Sequence, residues 1–384
     1  MGQAGDSAAG GPQYYTCHAT PPVPVPGAVL ASPKVWSGGS YATVWVENHR
    51  VTYGDQQWFD LEYARFAPDG SLSAQHTVIS TYELDENAVP IDYGGATVCS
   101  MLSVDGGFAI TWHETEQERL MFALLDPVGA LISEPAVLSA DETLYAAPPL
   151  RAVWTGSRFG VVWGDYEKLS LAILDEQGSL LSSGPVMGSL ATVGRLFLFW
   201  TDDHYAVWIE NGHQALNEVY LLHVSAEGQP IGEPHRLSDP DTTYTSPLWV
   251  GQTPSGYRAV VRVRRRTDAP PAVPLGIYEF DRDGIETAPP QAIAVVDPVD
   301  LVWTDIEFGA IFGEDLRPYF GLLGLDGSLC SNQIELAAPF PTNDGTRVPT
   351  VGGFDWHDGV FGIFFSEPTA AESQRLYTEI ACET

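Results

Sequence analysis

Residues 175–178 read DEQG, and five further turns with the same final glycine recur along the chain. These turns are APDG at 67–70, DPVG at 126–129, SAEG at 225–228, DRDG at 281–284 and GLDG at 324–327. The mean interval is about 51 residues, and a fixed period of this size is typical of stacked four-stranded units. Glycine favours such hairpin turns because it adopts a positive φ at no steric cost. The turns therefore predict a repeat-built, strand-rich fold.

Each repeat has the same internal order of four strands, here labelled A to D. Strand A carries a Trp or its substitute, and a polar turn leads to an aromatic strand B, as in VWSGGSYATVW (35–45) and AVWTGSRFGVVW (152–163). Strand C, such as LMFALLD (120–126), precedes the glycine turn, and strand D, such as EPAVLS (134–139), follows it. Alternation with a period near two, rich in β-branched and aromatic residues, indicates strands. Four strands per unit predict the blade of a β-propeller.

The A–B pair occurs seven times, with strand B ending near Trp45, Trp112, Trp163, Trp208, Val261, Phe312 and Phe365. The seventh repeat lacks its glycine turn and ends in RLYTEIACET (375–384), whereas PGAVLAS (26–32) is similar to a D strand. We therefore predict an all-β, seven-bladed β-propeller with four-stranded blades. Its N- and C-terminal strands close in one blade, with residues near 27–32 pairing with 375–382.

The domain organisation follows from this repeat. Residues 17–384 are expected to form a single propeller, and residues 1–16, which begin MGQAGDSAAGGPQ, are expected to form a flexible linker. No stretch approaches 18 consecutive apolar residues, so the sequence predicts no membrane span. We expect a monomer.

Cys17 and Cys382 fall on consecutive positions of the same interrupted hairpin turn. A disulfide between them would replace the missing covalent turn, and such a bond persists only in an oxidising compartment. The alternative is two free, buried thiols. We expect Cys99 and Cys330 not to be partners.

The chain carries 50 acidic and 18 basic residues, a formal net charge of −32. Nucleic acid is a poor partner for such a chain, because the phosphates would be repelled. A basic ligand, a divalent cation such as calcium, or simple solubility remain open explanations.

Carboxylates recur two residues after the last aromatic residue of strand B. They are Glu47, Glu114, Asp165, Glu210, Glu314 and Glu367. The B–C and D–A loops of a propeller open on the same face, where ligands usually enter, so these residues predict an acidic binding face. Duplication of a polar strand-end residue explains the recurrence equally well.

Blade 5 interrupts the acidic pattern with the run RVRRR at 262–266. Arg262, Arg264 and Arg265 present planar guanidinium groups that suit a carboxylate or a sulfate. At least one of them has the alternative of pairing with neighbouring acids.

Catalytic motifs are absent from the sequence: it has no G-x-S-x-G, H-E-x-x-H or P-loop pattern. A metal site of His49, His113 and Glu114 is a weaker alternative. Glu210 and Glu314 are the candidates for an acid and a base in a hydrolase or lyase.

The repeat resembles the W-x-G-x-x-Y-x-x-x-W … L-D-x-x-G unit of secreted or surface-anchored bacterial propeller proteins, over about residues 20–384. Val261 and Phe365 depart from it at the second Trp position. The resemblance implies an extracytoplasmic binding scaffold, and it carries over no catalytic residue. We expect a non-catalytic adhesin or receptor for a glycan, peptide or protein. The alternatives are a hydrolase or lyase with an arginine clamp, and a structural spacer.

Overall fold

The computed structural model describes residues 14–25, 33–50, 57–80, 96–115, 117–139, 149–164, 168–188, 190, 193–213, 216–237, 243–265, 273–293, 298–314, 317–337, 340–342, 345–347, 350–368 and 373–384. Throughout these residues the regular structure consists of β-strands. None of the described segments forms a helix long and apolar enough to cross a membrane.

The chain divides into two compact units, and the larger one, Val23–Pro290, contains blades 1 to 5. Two short strands, β1 (Thr16–Ala19) and β2 (Val23–Pro24), precede the blades in the chain. The strands of blades 1 to 5 are β3 (Lys34–Ser37), β4 (Ser40–Arg50), β5 (Gln57–Phe66) and β6 (Leu72–Ser80); β7 (Ala96–Val104), β8 (Gly107–Glu114), β9 (Arg119–Leu125) and β10 (Ala136–Ser139); β11 (Leu150–Trp154), β12 (Arg158–Gly164), β13 (Lys168–Asp175) and β14 (Leu180–Gly188); β15 (Val193–Trp200), β16 (His204–His213), β17 (Leu216–Ser225) and β18 (Pro230–Arg236); β19 (Thr243–Thr253), β20 (Gly256–Arg265), β21 (Leu275–Asp281) and β22 (Glu286–Ala292).

The smaller unit combines Met1–Pro22 with Gln291–Thr384 and contains blades 6 and 7. Its strands after β1 are β23 (Pro298–Trp303), β24 (Phe308–Glu314), β25 (Arg317–Leu323) and β26 (Ile334–Glu335); the hairpin β27 (Phe340–Thr342) and β28 (Gly345–Arg347); and β29 (Thr350–His357), β30 (Val360–Pro368) and β31 (Ser373–Glu383). All blades are antiparallel sheets, so the predicted fold class, a seven-bladed β-propeller, is confirmed.

The six glycine turns connect strands C and D, as the repeat predicts. All six glycines have a positive φ, between 74° and 89°. In three of the turns an Asp at the first position accepts hydrogen bonds from two backbone N–H groups further along; in DEQG, Asp175 Oδ1 accepts from Gln177 and Ser179. The aspartate and the glycine thus specify the same tight turn.

The recurring tryptophan of strand A packs on the aromatic residue five positions later. Ring centroids are 4.4–4.9 Å apart in five blades, from Trp36 and Tyr41 in blade 1 to Trp356 and Phe361 in blade 7. Further apolar clusters join neighbouring blades within the larger unit, as where Val162 and Leu171 of blade 3 meet Val207 of blade 4. The aromatic repeat is therefore a packing repeat.

Blade 7 confirms the closure by the two terminal strands and corrects the segment involved. Its order is β1-β31-β30-β29, so the closing strand is Thr16–Ala19 and not residues near 27–32. Residues 26–32 lie outside the described part of the chain. Cys17 pairs directly with Cys382 across the strands instead of following it around a turn, and the two form the predicted disulfide. Cys330 is a buried free thiol.

The N-terminal segment is also held by blade 6. The side chain of Asn332 binds the backbone of Cys17 from both sides, because its Oδ1 accepts from the N–H at 2.6 Å and its Nδ2 donates to the carbonyl at 3.0 Å. Tyr15 donates to Glu307 at 2.5 Å. Of the predicted linker, residues 1–13 lie outside the described residues.

Candidate functional site

The recurring carboxylates lie in different environments. Glu47 is exposed at the end of β4, and Glu367 is half-buried in β30. Asp165 lies outside the described residues, and so does the side chain of Glu314, whose backbone ends β24. The sequence position is common to the repeats, but the surroundings of these carboxylates are not.

Glu114 is tied into the structure of blade 2. Its side chain is 7% exposed, and Arg119, directly opposite on β9, donates to its Oε2 from Nε at 2.9 Å. Trp112 Nε1 donates to the other carboxylate oxygen at 3.2 Å. Both oxygens therefore have partners within blade 2.

The alternative metal site considered from the sequence consists of Glu114 and two histidines, His49 and His113. His49 Nε2 lies 2.9 Å from Asp60 Oδ2. His113 is buried, and burial lowers its pKa. No three His, Cys, Asp or Glu side chains within the described segments converge as metal ligands, so His49, His113 and Glu114 do not form the site considered above.

The arginine run of blade 5 continues strand β20. Arg262 is half-buried and alternates along the strand with Val261 and Val263, which pack in the cluster shared with blade 4. The backbones of Arg264 and Arg265 pair with Tyr244 and Thr243, and their side chains lie outside the described residues. Arg262 is therefore on the other face of the strand from the blade 4 contact.

A different pair of arginines lies on the A strands of blades 3 and 4. Arg151 is the second residue of β11 and Arg195 the third of β15, so both are near the end of strand A that follows the D–A connection. Both side chains are exposed. No sequence motif marks these two arginines, because each strand carries only one of them. The sequence feature that could have indicated them is their charge, because the chain has 18 basic residues and each of these two A strands carries one.

Arg195 reaches from blade 4 to blade 5. Its Nη1 donates to the backbone oxygens of Leu248 at 3.0 Å and Pro247 at 3.4 Å. The pairing register shifts at this point in both A strands, between Val193 and Leu196 in β15 and between Pro247 and Trp249 in β19. Such bulges re-aim side chains, and here they bring the guanidinium of one blade onto the carbonyls of the next.

Arg151 lies close enough to Arg195 for their charges to repel. Burial, together with the charge of Arg195, lowers the pKa of Arg151, whose Nη1 donates to its neighbour's carbonyl, Leu150 O, at 2.8 Å. The side chain is exposed to solvent, and protein atoms partly surround its charged group. Among the described residues, no carboxylate lies within ion-pair distance of either arginine.

Glu210 of blade 4 and Ser246 of blade 5 form a hydrogen bond close to the start of β15. Glu210 is 6% exposed, and Ser246 Oγ donates to its Oε2 at 3.0 Å. A Cβ on Gly194, the residue before Arg195, would lie 3.3–3.4 Å from the Glu210 side chain. The side chain of the predicted residue Glu210 therefore lies against the residue that precedes Arg195 in β15.

Comparison with known sequences gives no match to a protein family or to a characterised protein. Among solved structures, an ulvan lyase of a polysaccharide lyase family is similar with a TM-score of 0.51 and 10% identity, over 95% of this chain and 94% of the lyase. A second polysaccharide lyase gives a TM-score of 0.51 and 10% identity over 92% and 90% of the two chains. A prolyl endopeptidase gives a TM-score of 0.53 and 11% identity over 91% of this chain.

These neighbours share the fold. The chain spans about half the length of the prolyl endopeptidase, 47% of that chain. At 10–11% identity, none of their catalytic residues transfers to this chain.

Proposed function

We propose that the protein is an extracytoplasmic module that binds an anionic carbohydrate or peptide at Arg151 and Arg195. One observation carries this proposal: two neighbouring guanidinium groups are exposed to solvent, and their partners among the described residues are backbone carbonyls. In a chain with a net charge of −32, a pair of cations that forms no ion pair with the described residues is a local exception.

The chemistry of the pair favours an anion. Two positive charges that repel each other are both relieved by a single carboxylate or sulfate placed between them. Each guanidinium has five N–H donors, and the carbonyl contacts of Nη1 leave other donors for a planar anion. Because the protein as a whole repels anions, recognition depends on these short-range hydrogen bonds rather than on net charge.

The disulfide supports the assigned compartment. A bond between Cys17 and Cys382 persists in an oxidising environment such as the cell exterior or the periplasm. An exposed acidic surface suits the same environment, because it keeps the protein soluble.

Isothermal titration with oligogalacturonate and with poly-glutamate tests the binding proposal. Arg151→Gln and Arg195→Gln should each weaken binding of the preferred anion by about tenfold or more, the value of one charge-assisted hydrogen bond. Arg317→Gln is the matched control, because Arg317 forms a surface ion pair with Glu335 on blade 6. The proposal fails if neither anion binds, or if both arginine variants retain wild-type affinity.

Glu210 favours a second candidate, a lyase acting on a carboxylate-bearing polysaccharide. Elimination from such a sugar needs a cation that stabilises the carboxylate and a base that removes the neighbouring proton. Arg195 is a candidate for the cation and Glu210, which lies against Gly194, for the base, and two structural neighbours are polysaccharide lyases. Growth of the ultraviolet absorbance of an unsaturated product, lost in Glu210→Gln without loss of binding, would establish the activity. Binding without product formation would exclude it for that polysaccharide.

A further inference from the structure

Three side chains of blade 4 form a chain of hydrogen bonds at the end of the blade opposite to Arg195. Asp203 Oδ1 lies 2.6 Å from His204 Nδ1, and His204 Nε2 lies 2.8 Å from His223 Nδ1. Thr201 Oγ1 also lies 3.0 Å from His204 Nδ1. The far nitrogen of the chain, His223 Nε2, is buried and has no hydrogen-bond partner among the described residues.

The two histidines connect a turn to a neighbouring strand. His204 ends the A–B turn and begins β16, where it pairs with Ser225 of β17, two residues from His223. His223 lies on the same face of β17 as Leu221 and Val219, which are two and four residues earlier and pack in the cluster shared with blade 5. The histidine pair therefore lies at the junction of blades 4 and 5.

One set of proton positions satisfies both hydrogen bonds with two neutral rings. The hydrogen bond with His204 lowers the pKa of Asp203, so this carboxylate is ionised and only accepts. His204 must then carry its proton on Nδ1, which leaves Nε2 as an acceptor. His223 must carry its proton on Nδ1 in order to donate to that acceptor. Both rings are neutral in this arrangement, and the buried Nε2 of His223 is bare.

Neither ring accepts a second proton without breaking the arrangement. A proton on His204 Nε2 would face the N–H of His223 at 2.8 Å, donor against donor. A proton on His223 Nε2 would place a buried N–H where the described residues offer no acceptor. Acid therefore opposes the contact between the two rings.

Nearby charged groups both raise and lower the pKa of His223. Burial is the main cause that lowers the pKa of His223, and His204 and His235 lower it further, whereas Asp283 and Asp203 raise it. Arg282 faces Asp203 from blade 5. The net direction for His223 is downward, so its ring is neutral at neutral pH and becomes cationic in acid.

Blade 5 packs directly against this region. A Cβ on Gly284, in the C–D turn of blade 5, would meet Leu237, Leu221 and His235 of blade 4 at 2.9–3.2 Å. The turn therefore sits tightly on the strands that carry His223 and His235.

We propose that Asp203, His204 and His223 form an acid-sensitive latch that holds the A–B turn of blade 4 to strand C of the same blade, beneath the C–D turn of blade 5, and that opens when the histidine pair is protonated. The latch is independent of the anion site, because it uses none of the same residues.

Two measurements test the latch in the full chain. Long-range proton–nitrogen NMR of ¹⁵N-histidine-labelled protein at a pH of about 7.5 should show His204 and His223 as neutral Nδ1–H tautomers. Hydrogen exchange, corrected for the intrinsic rate, should be about tenfold faster at a pH of about 5 than at about 7.5 in residues 203–206, 221–225 and 281–285.

Variants separate the latch from general acid instability. His204→Asn with His223→Gln removes both titrating rings, and its corrected exchange in these segments should change by less than about twofold between the two pH values. His18→Gln alters an exposed histidine on β1 and should keep the wild-type acid response. The latch is refuted if His223 carries its proton on Nε2 at neutral pH, or if the double variant responds to acid as the wild type does.

Discussion

Cys17 and Cys382 are directly opposite each other on β1 and β31, and their disulfide joins positions 365 residues apart in sequence. β1 has four residues, so few backbone hydrogen bonds hold it to β31. Asn332 and Tyr15 add contacts to blade 6. The disulfide therefore strengthens the attachment of β1 to β31, which otherwise depends on the few hydrogen bonds of a four-residue strand.

Replacement of Cys17 by Ser should lower the free energy of unfolding by about 2–5 kcal/mol, because the bond closes a very long loop in the unfolded chain. Thermal unfolding with and without a reducing agent provides the measurement. Reduction should bring the wild type to the melting temperature of Cys17→Ser and leave that variant unchanged. Equal melting temperatures for oxidised and reduced wild type would contradict the prediction.

The burial of Lys34 predicts that the free energy of unfolding rises with pH. Burial lowers the pKa of this β3 residue to about 7, whereas an unfolded chain titrates lysine near its ordinary value of about 10.4. Between these values the unfolded chain binds a proton that the folded chain does not, so the free energy of unfolding rises with pH from about 7 to about 10. Lys34→Met removes this contribution.

Urea denaturation of wild type and Lys34→Met at several pH values measures the difference. The variant should be the more stable protein at neutral pH, and the two stabilities should converge as the pH approaches about 10. If the two proteins show the same dependence of stability on pH over this range, the folded protein does not lower the pKa of Lys34.

Gly160 allows blade 4 to approach blade 3. A Cβ at this position would lie 2.4 Å from Cε1 of Tyr205, which is fully buried. Gly160→Ala should therefore cost about 2 kcal/mol through overpacking, as measured by chemical denaturation. Gly184→Ala in the same blade is the matched control, because its Cβ would have no atom within 4 Å, and it should change stability by less than about 0.5 kcal/mol.

The ion pair between Glu114 and Arg119 within blade 2 can be tested by mutation. Arg119→Met leaves a buried carboxylate without its cation and should cost about 3 kcal/mol. In a Glu114→Gln background the same change should cost less than half as much, because no buried charge remains. A double-mutant cycle measures this coupling, and additive effects would show that the pair is not formed.

The sequence predicts the fold well because its signals are local. The glycine at the end of each C–D turn and the tryptophan five residues before an aromatic ring both act inside one blade. A short stretch of sequence from that blade is therefore enough to show each of them. The disulfide was predictable for a related reason, since the two cysteines lie in the two parts of one incomplete blade.

The closing strand and the arginine pair were not predictable from local signals. PGAVLAS has the composition of a D strand, whereas the actual strand TCHA is identified by its long-range register with β31. Arg151 and Arg195 lie near each other because two successive A strands are neighbours and one of them is bulged. Both features depend on tertiary structure. The partner of Glu114 was accessible, because Arg119 begins the next strand, directly opposite.

The pairing of β1 with β31 has a consequence for the order in which the chain acquires its structure. A ribosome releases Thr16–Ala19 long before it has made Ser373–Glu383, so the strand that emerges first must wait for the one that emerges last. Blades 1 to 5 have no such dependence on the C-terminal strand. During synthesis β1 therefore stays unpaired, and Cys17 stays without its disulfide partner, until the last strand of blade 7 has been made.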